Sequence, residues 1–308
     1  WLDRALIRLC ARFGDYRSAT ARFWTQKVSF DKYNGAGCYL QGSATCNTTT
    51  PTATVVQYFN SHDLMQYREK GGSAVYSQEW KGWLNGVQVG IDYRSIGGED
   101  SAVTYNTPTA NSLASVTTNR TNFGKGAQQF TGLFTQWKFL PTDALLVTAS
   151  ARIDHWSNTD GVATLVKYTA NAPGATLGGT VASSGQTKFN PNLGLRYELA
   201  DSATLRASAY RSFRAPGLNN LYRSFSSTTS ITIANPTLVP ETLRGWEAGV
   251  DARLGALQFG ATYYAYAIQN MVASFRVPSI VVAPQAVKDI CGTAAFGSAA
   301  SSCPATVN

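Results

Sequence analysis

Few side chains in this 308-residue chain have the types and spacing that covalent chemistry needs. It has two histidines, His62 and His155. His155 follows Asp154 and precedes Ser157, the raw material of a hydrolase dyad or triad, in which imidazole takes the serine proton and a carboxylate orients the ring. At strand parity, however, His155 falls on the apolar face near a strand end, where an interfacial role fits better than catalysis. His62-Asp63 has no partner pattern and reads as a structural or solvated histidine. Asn122-Phe123-Gly124-Lys125-Gly126 suggests a phosphate loop but lacks the GxxxxGK[ST] spacing and a following helix. Gly97-Gly98-Glu99-Asp100 and Asn158-Thr159-Asp160-Gly161 read as acidic loop tips, as turns in preference to calcium sites. Of five cysteines, Cys38 with Cys46 and Cys291 with Cys303 sit in Gly/Ser/Thr-rich surroundings as loop staples. Zinc would want CxxC pairs or nearby histidines, so disulfides and an oxidising compartment are expected, with Cys10 left over.

The elements that position these residues are long alternating strands. Charged residues make up 14% of the chain, against ~25% in a typical soluble domain, while aromatic residues reach 12%. That composition excludes a disordered chain and a coiled coil. No segment approaches the ~18 apolar residues of a membrane-spanning helix. Period-two patterning recurs instead. In 87–96, Val87, Val89, Ile91 and Tyr93 alternate with Gln88, Asp92 and Arg94. In 144–156, Leu145, Val147, Ala149, Ala151 and Ile153 alternate with Thr148, Ser150, Arg152 and Asp154. Residues 188–199 place Phe189, Leu193, Leu195 and Tyr197 opposite Lys188, Asn190, Asn192 and Arg196. Trp246, Ala248, Val250 and Ala252 stand opposite Glu247, Asp251 and Arg253, and 257–265 continue the pattern. Residues 3–13, 17–30, 74–83, 127–139 and 203–214 obey it less cleanly. Ten strands are expected in all; residues 53–72 read either as a further hairpin or as a short helix, and the last strand is expected over 256–275.

Short connections fall near Asn85, Thr142, Ser202 and Gly255, spaced by 57, 60 and 53 residues. Long polar connections, 98–126, 158–185 and 215–240, lie between them. Loops longer than ~12–15 residues need an explanation in a compact domain. A transmembrane β-barrel supplies it, with short periplasmic turns, long extracellular loops and strands that alternate lipid-facing apolar with lumen-facing polar residues. Closure is what satisfies the backbone of a sheet inside lipid. The excess of eight positive charges does not cluster as a nucleic-acid patch. It is expected to line the lumen through Arg152, Arg196, Arg206, Arg244 and Arg253, balanced by Asp92, Glu198, Glu247 and Asp251.

Ser212-Phe213-Arg214-Ala215-Pro216-Gly217-Leu218-Asn219-Asn220-Leu221-Tyr222, followed by Asn235-Pro236-Thr237-Leu238-Val239-Pro240-Glu241, resembles the late-barrel motif pair of TonB-dependent outer-membrane receptors. The likeness runs on through Trp246-Glu247-Ala248-Gly249-Val250. It reaches upstream to Phe130–Phe134, Arg152–Asp154 and Val89–Arg94, covering roughly 73–275. Pro216, Pro236 and Pro240 cannot donate to a ladder and mark where pairing stops. The resemblance implies an all-β, antiparallel partial barrel: about ten strands of a plugged barrel of ~22. On this reading 1–308 is an internal barrel fragment with the plug absent, and 276–308 is an unfinished extracellular loop.

The resemblance further implies active transport of a chelated nutrient, a ferric siderophore or cobalamin, across the outer membrane of a Gram-negative bacterium. Energy would come from the TonB system through the plug, with no enzyme activity, no cofactor and no nucleic-acid partner. The substrate-binding candidates are Arg211, Arg214, Tyr222 and Arg223 near one extracellular mouth. There they would meet an anionic metal chelate or lipopolysaccharide phosphates through charge-assisted hydrogen bonds, with Phe225 adding aromatic contact. A passive porin or structural barrel is the alternative; the motifs between Arg214 and Glu241 and an upstream plug separate the two.

Overall fold

The computed structural model describes residues 2–40, 55–106, 117–226, 231–273, 275–276 and 305–307. Its long strands are β1 (Leu2–Arg12), β2 (Arg17–Leu40), β3 (Val55–Glu79), β4 (Leu84–Tyr105), β5 (Thr118–Thr142), β6 (Leu145–Thr169), β7 (Ala172–Val181), β8 (Ser184–Ala200) and β9 (Ala203–Arg214). A short helix α1 (Leu218–Tyr222) and two short strands, β10 (Phe225–Ser226) and β11 (Ile231–Ile233), follow. Then come β12 (Glu241–Leu254), β13 (Leu257–Gln269), β14 (Phe275–Arg276) and β15 (Ala305–Val307). One antiparallel sheet runs β1-β2-β3-β4-β5-β6-β8-β9-β12-β13, with β7 paired to the upper part of β6. Within the described residues β1 and β13 each have one neighbour, so the sheet is an open wall. No helix among the described residues is long and apolar enough to cross a membrane.

The register shows why period two dominates the sequence. Ile91, Leu133, Ile153 and Phe189 are consecutive partners across β4, β5, β6 and β8. They are 52%, 55%, 48% and 51% exposed, an apolar row on an open face that lipid, not water, suits. The next row, Asp92, Gly132, Asp154 and Lys188, faces the other way. There Arg152 ties three strands together. Its Nη1 and Nη2 donate to Asp92 at 2.6 and 2.9 Å, and its Nε donates to Asp154 at 2.7 Å. Asn190 on β8 donates to the second Asp154 oxygen at 3.0 Å. Gly132 leaves the space: a Cβ there would lie 2.9 Å from Asp154 Oδ1 and collide with the guanidinium. Lower in the lumen Arg206 donates to Asp251 at 2.8 Å, and Ser208 donates to Glu247 at 3.1 Å.

Several expectations change. Of residues 53–72, those described, from Val55 onward, form neither a helix nor a separate hairpin and belong to the single strand β3. Two of the long connections, 98–126 and 158–185, are mostly strand. β4 and β5 reach Tyr105 and Thr118, and β6 continues to Thr169 before returning as β7. The last wall strand ends at Gln269, short of 275. Arg244 does not line the lumen: it shares parity with the exposed Trp246 and faces Arg211 across β9–β12. Of the cysteines expected to pair, Cys46, Cys291 and Cys303 lie outside the described residues, as do the Cys38 side chain and most of 276–308; Cys10 is a free, exposed thiol.

Removing Arg152 strands two carboxylates, one of them buried. Arg152→Leu is expected to cost on the order of 2–3 kcal/mol, read as an earlier loss of the compact band when the protein is heated before electrophoresis. Ile153→Val, one residue on and facing lipid, should stay within about 0.5–1 kcal/mol of the parent.

Candidate functional site at the extracellular mouth

Above the apolar band the two faces of the wall lose their contrast, because α1 folds back onto the inner face. Pro216 and Gly217 end the β9 strand, and α1 packs against β5 and β6. Leu221 and Tyr222 are buried there with Trp156 and Ala163, and Phe130, Val181, Phe213 and Leu238 pack around them.

The cradle is made of glycines. A Cβ on Gly161 would come within 2.8 Å of the Tyr222 ring, and one on Gly126 closer still. A Cβ on Gly124 would lie 2.5 Å from the Tyr222 carbonyl, and one on Gly98 would lie 3.2 Å from Leu218. These four glycines come from β4, β5 and β6. A β-bulge aligns them: Lys125 pairs with Val162 but Ala127 with Thr159, so Asp160 and Gly161 together oppose Gly126. Asp160 takes a positive φ of 54°, a conformation that Asp tolerates better than most residues. The bulge flips the parity of β6, so Trp156 and Asn158 below it, and Gly161, Ala163 and Leu165 above it, all face inward. The segments that read as loop tips and a phosphate loop are therefore strand, and their missing side chains make room for α1.

Polar ties fix the same segment. Gln128 Nε2 donates to the Pro216 carbonyl at 2.7 Å in a buried site. The Asn235 amide donates to the Asn220 carbonyl at 2.9 Å, and the Ala234 amide to Ser224 Oγ at 3.1 Å. Arg223 Nε lies 2.9 Å from Asp100 Oδ2. Burial pushes the Asp100 carboxyl above its usual range, and the Arg223 charge offsets part of that rise. Burial also raises the Tyr222 phenol.

The four sequence candidates do not converge on one point. Tyr222 and Arg223 are neighbours at the end of α1, and Tyr222 is only 3% exposed. Arg214 and Arg211 lie three residues apart on β9 and so project to opposite faces. Arg214 keeps its side chain 74% exposed while clasping Glu241 directly across the pair. Its Nε and Nη2 donate to the two Glu241 oxygens at 2.5 and 2.9 Å, and the Val272 amide donates to Oε1 at 2.6 Å. The Arg214 hydrogen bonds hold the Glu241 carboxyl below its usual range. The Phe225 side chain lies outside the described residues. Sequence reasoning missed Gln128, Asp100 and the glycine cradle, whose only sequence signal is glycine recurring inside strand-forming stretches.

The histidines take no part in this mouth. His155 is exposed on the outer face, its Nδ1 3.1 Å from Thr187 Oγ1, while Asp154 points inward to Arg152. His62 Nε2 lies 2.6 Å from Asp31 Oδ1, and its ring stacks on Tyr33 at 4.2 Å.

A lipid-facing apolar wall, a charged lumen and an inward-folded segment at the long-hairpin end define part of an outer-membrane-type β-barrel. The family model "TonB dependent receptor-like, beta-barrel" matches residues 11–297, and the chain belongs to that family. Solved structures agree in fold. The copper transporter OprC superposes with a TM-score of 0.59 at 13% identity, over 87% of this chain and 40% of its own. The ferric-catecholate import receptor Fiu from E. coli K12 gives 0.58 at 16%, over 87% and 40%. The ferric yersiniabactin uptake receptor FyuA from Yersinia pestis gives 0.57 at 11%, over 88% and 36%. The chain thus spans well under half the length of these proteins. No curated protein sequence matches it.

Two outcomes test the mouth. Tyr222→Ala empties the cradle and is expected to cost about 3 kcal/mol, seen as protease cleavage within 215–226 at concentrations that leave the parent intact. The Arg214–Glu241 clasp should hold fully above the ordinary glutamate range and loosen as pH falls through the lowered Glu241 value. Amide exchange at Val272 reads that loss, and Glu241→Gln should abolish the pH dependence.

Proposed function

We propose that the protein works in the outer membrane of a Gram-negative bacterium, in TonB-dependent active uptake of a chelated nutrient. A ferric siderophore is the first expected cargo and cobalamin the second. The observation that carries this reading is the family match from residue 11 to 297. The names of Fiu and FyuA, both ferric-chelate importers, support the choice of cargo.

In this role the wall supplies a rigid, charged lumen, and the hairpins that extend above the bilayer form the mouth. Arg214 offers an exposed guanidinium beside the α1 segment, suited to an anionic chelate. Tyr222 and Arg223 hold the shape of the mouth, and Arg211, on the opposite face of β9 from Arg214, meets the lipid headgroups from the outer side. No bond is made or broken in the cargo, and energy arrives through a plug coupled to the TonB complex.

Uptake of ⁵⁵Fe carried by a panel of siderophores, in a strain lacking the gene and in the complemented strain, tests this directly. Expected are loss of uptake on deletion, loss on collapsing the proton-motive force, and about a tenfold higher half-saturation for Arg214→Gln, the scale of one charge-assisted contact. Uptake that persists without the proton-motive force, together with passage of unrelated small solutes, would leave a passive channel.

A further inference from the structure

Every neighbouring pair of strands in the wall is joined, but β8 and β9 are joined only over their lower part. Their register runs from Ala200 opposite Ala203 up to Asn192 opposite Tyr210 and stops there. Continued upward, it would set Pro191 opposite Arg211 and Phe189 opposite Phe213. Neither strand ends at that point. β8 stays paired to β6 up to Ser184, and β9 stays paired to β12 up to Arg214. The result is a slit in the wall, bounded on both sides by intact ladder.

Pro191 explains where the pairing stops. The Glu198 amide donates to the Ala144 carbonyl at 2.8 Å, so even-numbered residues of β8 turn their backbone groups toward β6 and odd-numbered ones toward β9. By the same alternation, the Arg253 amide on the Ser202 carbonyl, also 2.8 Å, leaves Arg211 and Phe213 turned toward β8. The next rung up needs an N–H at Pro191, and proline has none. No backbone hydrogen bond therefore joins 188–191 to 211–214. This happens at the depth of the lipid-facing row that Phe189 shares with Ile153, where unpaired backbone is costly. On its inner side the slit meets the mouth. Phe213 has the outer-face parity of Arg211, yet it packs with Val181 against the buried cluster of Trp156, Leu221 and Tyr222. Its ring closes the slit.

Three demands meet here. Unpaired amides and carbonyls are satisfied by a second amide chain laid along them as an added strand. The lipid outside takes an apolar tail. Arg214, the last residue of β9 and exposed, takes an anionic head. We propose that the slit is a side entrance for an acylated peptide chelate, whose tail stays in the outer leaflet while its amide head pairs with the free edges of β8 and β9. The proposal rests on uptake of a chelate by this protein and names the kind of chelate. Phe213 swings aside to admit the head, which then lies between the slit and Arg214.

The test is ⁵⁵Fe uptake in the strain lacking the gene, complemented with the full-length protein. The probes are tripeptide chelates bearing hydroxamate, catecholate or hydroxycarboxylate groups, each made with and without a dodecanoyl tail. On any head that is transported, the tail should lower the half-saturation about tenfold, the scale of a few added hydrogen bonds. Pro191→Val restores the missing donor and should zip the slit. Amide exchange at Arg211 and Phe213 should then slow, and the advantage of the tail should vanish while uptake of the tail-free chelate is unchanged. Phe189→Cys/Phe213→Cys should do the same when oxidised and recover on reduction. Leu195→Val, facing lipid lower on β8, should change nothing. Equal half-saturation with and without the tail, or an advantage that survives both the zipped variant and the oxidised pair, would overturn the side entrance alone. No uptake of any head would overturn the cargo reading and the side entrance with it.

Discussion

A backbone N–H or C=O left unpaired in hydrocarbon costs several kcal/mol, and the unbroken antiparallel ladder from β1 to β13 is the constraint on which everything else rests. Once the ladder is fixed, side chains have two destinations. One set, exemplified by Ile91, Leu133, Ile153 and Phe189, meets lipid; the other holds Arg152, Asp92 and Asp154 inside. Many charges on the inner face are held in pairs, such as Arg152 with Asp92 and Asp154, Arg94 with Glu69 and Arg206 with Asp251. The pairing in turn links β4, β6 and β8 across distances that the ladder alone does not couple.

The bulge at Asp160 is the one place where the ladder's parity is used to build a site. By adding a residue opposite Gly126 it brings Gly161 to the inner face, and with Gly98 and Gly124 it opens a cradle for Leu218 and Tyr222. The segment after β9 is thereby held against the wall. Arg214 stays exposed at the end of that strand because Glu241, across the pair, and the Val272 amide fix its position.

The lower halves of β4, β6 and β8 are legible in sequence because one face meets lipid and the other meets charge. Their upper halves are not, since the inner face there is covered by α1 and the outer face has left the apolar band, so the alternation fades. That is why Gly97–Asp100 and Asn122–Gly126 read as loops although they are strand. Pro216 and Pro240 mark the strand ends correctly, at the limits of β9 and β12. Arg244 reads as lumenal from charge alone, and only its parity with Trp246 places it outside. The burial of Tyr222 depends on glycines from three strands far apart in the chain, which no local pattern reveals.

The most direct test is a nitroxide scan along β6 in membranes, comparing collisions with lipid-soluble oxygen and with a water-soluble nickel chelate. Labels at Ala149, Ala151 and Ile153 should favour oxygen, and labels at Ser150, Arg152 and Asp154 should not. The period of two should slip by one residue at Asp160, so that Ala163 and Leu165 continue the inward row of Trp156 and Asn158. An accessibility profile without that alternation, or water contact at Ala149 through Ile153, would contradict a lipid-facing wall.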